Sequence, residues 1–309
     1  MQPLLRRRLY LGAVFAAIVA SSFFFVRPEI SSEALVACLP ASQDAVVYLD
    51  VARLRRVGIV NQLAGGAGVQ EADYLKFVEE TGFDYRRDLD AVAASLHSDG
   101  AHIVIKGRYD LQRLQAYARS HGGQCAGEFC SMAGSTSAIK ISFRPLERAW
   151  GDPWFGQRPL AVASGADPMA AAAMRRGGSI PQFRPPAAAA WIYLPAAALQ
   201  ARADLPAVVN GLFEALRGAG SATLEMQPGE RGIQVELTAS CANAEQANGI
   251  AARLQRSTEA VRQARAEEAG KPGVNELAEL LAGGSFRVDQ TLVRGLWPVP
   301  KGMLEALSK

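Results

Sequence analysis

The chain has 309 residues, of which 49% are hydrophobic and 20% are charged, a composition typical of globular proteins. Its length is suitable for about two domains. The 33 basic and 30 acidic residues give a net charge of +3, and three of the basic residues, Arg6, Arg7 and Arg8, precede an apolar segment. The remainder is close to neutral, which excludes the strongly basic surface that is typical of nucleic-acid-binding proteins.

The first 26 residues are predicted to be a membrane anchor. Residues 9–26 contain no charged side chain, and Arg6–Arg8 precede them. Eighteen residues in a helix rise about 27 Å, close to the thickness of a bilayer core. Basic residues before the apolar segment favour a cytoplasmic N-terminus. We therefore expect a single-pass protein of the inner membrane, bound to lipid through residues 9–26, with a periplasmic body.

Two other outcomes are compatible with this N-terminal segment. A cleaved signal peptide would place its cleavage site near Ala20-Ser21-Ser22 and release a secreted protein. A lipoprotein would carry its lipid on Cys38, because residues 35–38 (LVAC) resemble a bacterial lipobox. Charged residues separate this motif from the apolar run, so the retained anchor is favoured, and residues 27–43 are interpreted as a stalk.

The body is predicted to contain two related modules. Residues 46–50 (VVYLD) and 191–195 (WIYLP) both indicate a strand, and the two segments start 145 positions apart. Each is followed by a helical stretch, a hairpin and another helix. This β-α-β-β-α order predicts an α+β fold with two ferredoxin-like modules, at 44–177 and 187–309, whose sheets are mainly antiparallel. Asp50, Asp110 and Asn243 are predicted helix caps.

The two predicted hairpins have different turns. The first turn is assigned to Asp99-Gly100, a favoured two-residue turn, and the second to residues 228–231. Pairing around these turns places apolar residues opposite each other on one face. The predicted pairs are Leu96 with Ile103, Ala94 with Ile105, Met226 with Ile233, and Leu224 with Val235.

Four cysteines are distributed along the chain, and their pairing does not follow from the sequence. Cys125 and Cys130 are close enough to form a small disulfide-closed loop, and Cys38 and Cys241 lie far from them. The C-x-x-C spacing of thioredoxin-like proteins is absent. We interpret Cys125 and Cys130 as a structural pair, not a redox or metal site.

His97 and His102 are the metal-ligand candidates in this sequence. With Asp99-Gly100 as the turn, the two histidines would face each other across the hairpin. A stable zinc site usually has three or four protein ligands, and His121 is the remaining histidine. We therefore interpret the pair as solvated side chains. No catalytic or cofactor motif occurs in the chain, so we expect no metal, no cofactor and no catalytic residue.

Trp150, Trp154 and Phe155 lie in the Pro- and Gly-containing loop 145–159 and are the predicted partner-binding residues. Aromatic side chains in loops often form contact surfaces. The element order, together with Leu39-Pro40 and the strand at 45–50, resembles bacterial single-pass envelope proteins that have a duplicated α/β body and no known activity. The resemblance implies a tethered, non-enzymatic binding or scaffolding module for an envelope partner. The alternative is an envelope hydrolase with a dispersed active site.

Overall fold

The computed structural model describes residues 31–41, 44–60, 72–134, 138–147, 158–175, 183–200, 207–229, 232–267 and 276–300. The predicted anchor at 9–26 lies outside these ranges, as do Trp150, Trp154 and Phe155. Among the helices in these ranges, none combines the length and the apolar character needed to cross a membrane.

The described residues form twelve strands in one sheet, and all neighbouring strands in it are antiparallel. The spatial order is β11-β12-β10-β9-β8-β1-β2-β3-β7-β6-β5-β4. The strands are β1 (Ala45–Leu49), β2 (Leu89–His97), β3 (Gly100–Gly107), β4 (Gln124–Ala126), β5 (Phe129–Ala133), β6 (Lys140–Pro145), β7 (Leu160–Gly165), β8 (Ala190–Pro195), β9 (Ser221–Gly229), β10 (Gly232–Ser240), β11 (Ser285–Asp289) and β12 (Leu292–Pro300).

The helices are short except for one that packs across the second half of the sheet. They are α1 (Ser32–Val36), α2 (Val51–Arg56), α3 (Ala72–Thr81), α4 (Tyr85–Asp88), α5 (Leu111–Ser120), α6 (Ala170–Ala173), α7 (Ala196–Gln200), α8 (Ala207–Leu216), α9 (Ala244–Glu267) and α10 (Glu276–Ala282). The predicted α+β class and the mainly antiparallel sheet are confirmed.

The ferredoxin-like arrangement is wrong. A split β-α-β unit places its first strand beside a parallel neighbour, whereas β1 pairs antiparallel with β2 on one side and with β8 on the other. The β1–β8 pair joins both predicted modules into one sheet. Val47 pairs directly with Ile192, the residue that the predicted duplication would make its counterpart, and a local two-fold axis passes between the two.

Both predicted hairpins form, and both predicted registers are wrong by two residues. Leu96 pairs with Ala101 instead of Ile103, and Met226 pairs with Val235 instead of Ile233. Since side chains alternate with a period of two, this error leaves every side chain on its predicted face. The first turn is Ser98-Asp99, and Gly100 is already part of β3.

The position of Gly100 explains why the turn was assigned wrongly. A Cβ atom on Gly100 would lie 1.9 Å from the carbonyl oxygen of Ser164. Glycine is needed here because β3 begins directly against the end of β7, not because the turn requires it. An aspartate followed by glycine usually indicates a turn, but in this hairpin the glycine is required by the packing of β3 against β7.

Paired residues share a face of the sheet, so the register defines two faces. The front face carries Tyr48 and Trp191, and the back face carries Val47 and Ile192. A front-face cluster contains Tyr48, Trp191 and Val104, together with residues of α1. Three clusters cover the back face: α8 and α9 pack on the second half, α5 packs near β5 and β6, and α2 packs near Ile233.

Part of the predicted stalk belongs to this folded body. Leu35 and Cys38 are almost completely buried, and both lie in the front-face cluster with Trp191. The hydroxyl of Ser32 donates to the carbonyl oxygen of Pro186. The described residues of the 27–43 segment therefore pack against the sheet. Four side chains of α1 and the turn after it cover the front face at β1 and β2: Leu35, Val36, Cys38 and Leu39.

Candidate functional site

An exposed apolar surface lies at the centre of the back face, where the two halves of the sheet meet. Leu49 is 37% exposed, Leu96 is 46% exposed and Ile192 is 40% exposed. Each belongs to a strand in the middle of a twelve-stranded sheet, where large aliphatic side chains are normally covered. We call Leu49, Leu96, Ile192 and the half-buried Val47 the junction patch.

Strand register makes the junction patch continuous. Val47 pairs with Ile192 on one side and with Ala94 on the other, while Ala45 pairs with Leu96. Directly opposed residues in antiparallel strands lie about 5 Å apart, and diagonal neighbours lie about 7–8 Å apart. Val47 therefore connects Ile192 to the ends of the patch marked by Leu49 and Leu96.

Local sequence determines where the junction patch ends along β1. The carboxylate of Asp50 accepts a hydrogen bond from the backbone N–H of Arg53 at 2.8 Å and begins α2. α2 then carries Val51 and Leu54 into the cluster over β9 and β10. The chain leaves β1 immediately after Leu49, so its own helix covers neighbouring strands instead of this leucine.

Two arginines mark the Leu49 end of the junction patch. There, the guanidinium groups of Arg53 and Arg55 donate to backbone carbonyl oxygens of Ala187 and Leu89. A partner that places a negative charge at this end would complement the two arginines.

His97 and His102 contact each other, although they are not the directly opposed pair that was predicted. His102 pairs with Ser95, and His97 pairs with Gly100. His97 Nε2 lies 3.1 Å from His102 Nδ1, and the rings meet edge to face with centroids 4.8 Å apart. His97 Nδ1 lies 3.6 Å from Asp99 Oδ1. Both side chains lie on the front face at the hairpin end of the sheet.

The surroundings of His102 favour its neutral imidazole. Burial, and then the neighbouring His97, lower the pKa of His102 below its usual range, while Asp44, Asp99 and Asp167 act in the opposite direction. Among the residues that the structure describes, no three His, Cys, Asp or Glu side chains come together as a metal-binding group.

Cys125 and Cys130 are joined by a disulfide across the β4–β5 hairpin at one edge of the sheet. Cys38 is buried beneath the sheet, where its thiol donates to the carbonyl oxygen of Ala34, and Cys241 is half-buried. The Cys125–Cys130 disulfide closes the outermost hairpin, and Cys130 packs with Phe143 and Leu160. These contacts give the disulfide a structural role.

A small cavity occurs in the helical layer of the second half. Its volume of about 20 Å³ is enough for roughly one water molecule. Its lining consists of Leu212, Leu254, Ser257, Thr258, Val261, Leu281 and Trp297, none of which is an acid or base at neutral pH. This cavity has neither the size nor the ionisable groups of a substrate site.

The sequence did not predict the junction patch, because residues 45–49 (AVVYL) are apolar throughout and do not distinguish a covered face from an exposed one. Which of these side chains stay exposed depends on where the helices pack on each face. The predicted contact residues Trp150, Trp154 and Phe155 lie outside the described residues, so their predicted role stays a prediction.

Comparison with known proteins gives a fold likeness too weak to support a functional assignment. No protein-family model matches the chain, and no curated protein matches it. Three crystal forms of TP0453 resemble it over 90% of its length and 96–97% of theirs, with sequence identities of 10–12%. The TM-scores are 0.41 for form I, 0.42 for form IV and 0.43 for form III. These values carry no conclusion about mechanism or ligand.

Proposed function

We propose that the chain is a membrane-tethered, non-enzymatic binding module of the bacterial cell envelope, whose junction patch receives an apolar helix face of another envelope protein. The observation that carries this proposal is the exposure of Leu49, Leu96 and Ile192 at the centre of a sheet whose surrounding strands are covered. Apolar side chains in such a position favour association with a partner.

The dimensions of the junction patch are suitable for one helix. It covers β8, β1 and β2, a width of about 10 Å at the usual strand spacing. From Ala45 to Leu49 it runs for about 13 Å. A helix has a diameter of about 10–12 Å and a pitch of 5.4 Å, so roughly two and a half turns would cover the patch. Such a partner would contribute apolar residues at positions i, i+3 or i+4, and i+7.

Tethering and location rest on the sequence. The uncharged residues 9–26 after Arg6–Arg8 would span the inner membrane and leave the body in the periplasm. The Cys125–Cys130 disulfide is in keeping with an oxidising compartment. The direct pairing of Val47 with Ile192 about a local two-fold axis supports an internal duplication.

Photo-crosslinking tests the binding function. A photoreactive amino acid at Ile192, introduced into the full chain in producing cells, should crosslink one envelope protein, which is then identified and purified. Ile192→Asp should weaken binding of that protein by at least tenfold, because loss of one buried aliphatic contact costs about 1.5–3 kcal/mol. Leu296→Asp is the matched control, since Leu296 is 36% exposed on the front face and should have no effect.

Equal weakening by Ile192→Asp and Leu296→Asp would refute the junction patch as the binding surface. Crosslinking from position 296 but not from position 192 would also refute it. Membrane fractionation and N-terminal sequencing test the tether separately: the proposal requires an uncleaved chain that resists carbonate extraction. A mature N-terminus at Phe23 would show that the segment is a cleaved signal peptide, and one at Cys38 would show that the protein is a lipoprotein. Either result would refute the retained anchor.

A further inference from the structure

We propose that His97 and His102 form a chelating site for one divalent transition-metal ion, of the class that imidazole favours: Zn²⁺, Cu²⁺ or Ni²⁺. The site lies on the front face at the hairpin end of β2 and β3, whereas the junction patch lies on the back face. It is therefore independent of the proposed partner binding and adds a second ligand to the protein.

The spacing of the two rings already approaches that of a coordination site. Zn–N bonds are about 2.0–2.1 Å long, so two nitrogen ligands of a tetrahedral ion lie roughly 3.3–3.4 Å apart. His97 Nε2 and His102 Nδ1 are 3.1 Å apart. Small rotations about the side-chain bonds would direct both nitrogen lone pairs to a common point beside the rings, with little loss of side-chain freedom.

Asp99 favours the tautomer of His97 that binds metals. Its carboxylate lies 3.6 Å from His97 Nδ1, which is buried and has no hydrogen-bond partner among the described residues. A proton on Nδ1 is attracted to this carboxylate, and Nε2 is then left with its lone pair directed at His102. Metal-binding histidines commonly have a carboxylate beside the second ring nitrogen, which orients the ring and raises its basicity.

Nearby carboxylates also make this end of the sheet attractive to a cation. Asp44, Asp99 and Asp167 all act on His102 electrostatically. Because no group of three potential protein ligands comes together in the described part of the chain, water would complete the coordination sphere. The site should therefore bind its ion reversibly, unlike the closed four-ligand sites that stabilise zinc-dependent folds.

The test uses the full chain without a histidine tag, in detergent micelles, titrated with ZnCl₂ and CuCl₂ against a chromogenic chelator. We expect one equivalent to bind and affinity to fall at least tenfold in His97→Ala and in His102→Ala. Asp99→Asn should weaken binding by about 10- to 100-fold, as is usual for partners of metal-bound histidines. Electron paramagnetic resonance of the copper form should detect two imidazole nitrogens.

His121→Ala is the matched control. His121 caps α5, stacks on Tyr117 and has Glu80 3.9 Å from its Nδ1, but no second imidazole contacts it. The His121→Ala variant should therefore bind metal with the same affinity as the unaltered chain. Circular dichroism should confirm that each variant folds. If a variant does not fold, the copper resonance of the unaltered chain still tests the proposal, because it must detect two imidazole nitrogens. Binding that survives the double variant His97→Ala/His102→Ala, or that disappears in His121→Ala, would overturn the proposal.

Discussion

Replacement of Leu35 by alanine tests whether α1 is a structural part of the body. Leu35 has no exposed surface, and it belongs to the cluster formed by Tyr48, Val104 and Trp191. Replacing a buried leucine by alanine removes apolar contacts and leaves a cavity, with a typical cost of 2–5 kcal/mol. α1 is short and lies near one end of the described chain, so partial collapse of the site favours a value of about 3 kcal/mol.

This loss should be visible as a lower melting temperature. For a body of this size, each kcal/mol corresponds to about 2–4 °C, so we expect Leu35→Ala to melt roughly 6–12 °C below the unaltered chain. Unfolding of the full chain in detergent micelles is followed by far-ultraviolet circular dichroism and by tryptophan fluorescence. Trp191 reports directly on this region, because it packs in the same cluster as Leu35.

Leu75→Ala is the matched control, since Leu75 lies on α3 and is 53% exposed. It should change the free energy of unfolding by less than about 1 kcal/mol. If Leu35→Ala were as mild as Leu75→Ala, α1 would not contribute to the core. The segment at 27–43 would then be a stalk, as its sequence suggests.

Three further substitutions test other parts of the sheet. Gly100→Ala should lower the free energy of unfolding in urea by about 1–3 kcal/mol, because the new Cβ would collide with the Ser164 carbonyl. Gly211→Ala is the control: Gly211 has open space around it in α8, so this change should not destabilise the chain. Equal effects of the two changes would contradict the close approach of β3 to β7. Glu225 lies directly opposite Glu236, and burial, then that neighbour, raise the pKa of Glu225. The folded state therefore binds a proton on the Glu225 carboxylate more tightly than the unfolded state does, so the charged carboxylate destabilises the fold at pH 7. Glu225→Gln should stabilise the chain by about 0.2–1 kcal/mol at pH 7, and this gain should disappear below about pH 4, where the carboxylate is protonated in both states. A gain that does not depend on pH would contradict charge repulsion. Replacing both Cys125 and Cys130 by alanine should cost about 2 kcal/mol, the value expected for so short a loop, and dithiothreitol should then have no further effect on stability.

The helix caps were predictable because they depend on neighbouring residues. Asp50 accepts from the N–H of Arg53, Asp110 accepts from the N–H groups of Gln112 and Arg113, and Asn243 accepts from the N–H of Gln246. Each bond spans two or three positions. A short polar side chain before a helical stretch therefore contains most of the information needed to place the start of the helix.

Hairpin faces were predictable although the registers were not. A shift of two residues changes the partner of Leu96 from Ile103 to Ala101 but leaves both partners on the same face. The sequence therefore identified the back-face residues of both hairpins correctly. The register itself depends on the approach of Ser164 to Gly100, a contact between residues more than sixty positions apart.

The candidate sites show the same division. The sequence singled out His97 and His102, but their direct ring contact, with the nitrogens 3.1 Å apart, depends on a diagonal placement that the predicted register did not contain. The junction patch was not predicted at all. Its exposure depends on where α2, α5, α8 and α9 pack on the back face.

By itself, the sequence determined the α+β class, the opening strand and the following hairpin of each half, the caps of several helices and the face on which the residues of these two hairpins lie. These properties follow from side-chain periodicity and from hydrogen bonds between close neighbours. Only the tertiary structure decided that β1 pairs with β8, that α1 covers the front face and that Leu49, Leu96 and Ile192 stay exposed. Each of these depends on packing between segments that are distant in the chain, and many partners in the chain are compatible with the same local apolar pattern.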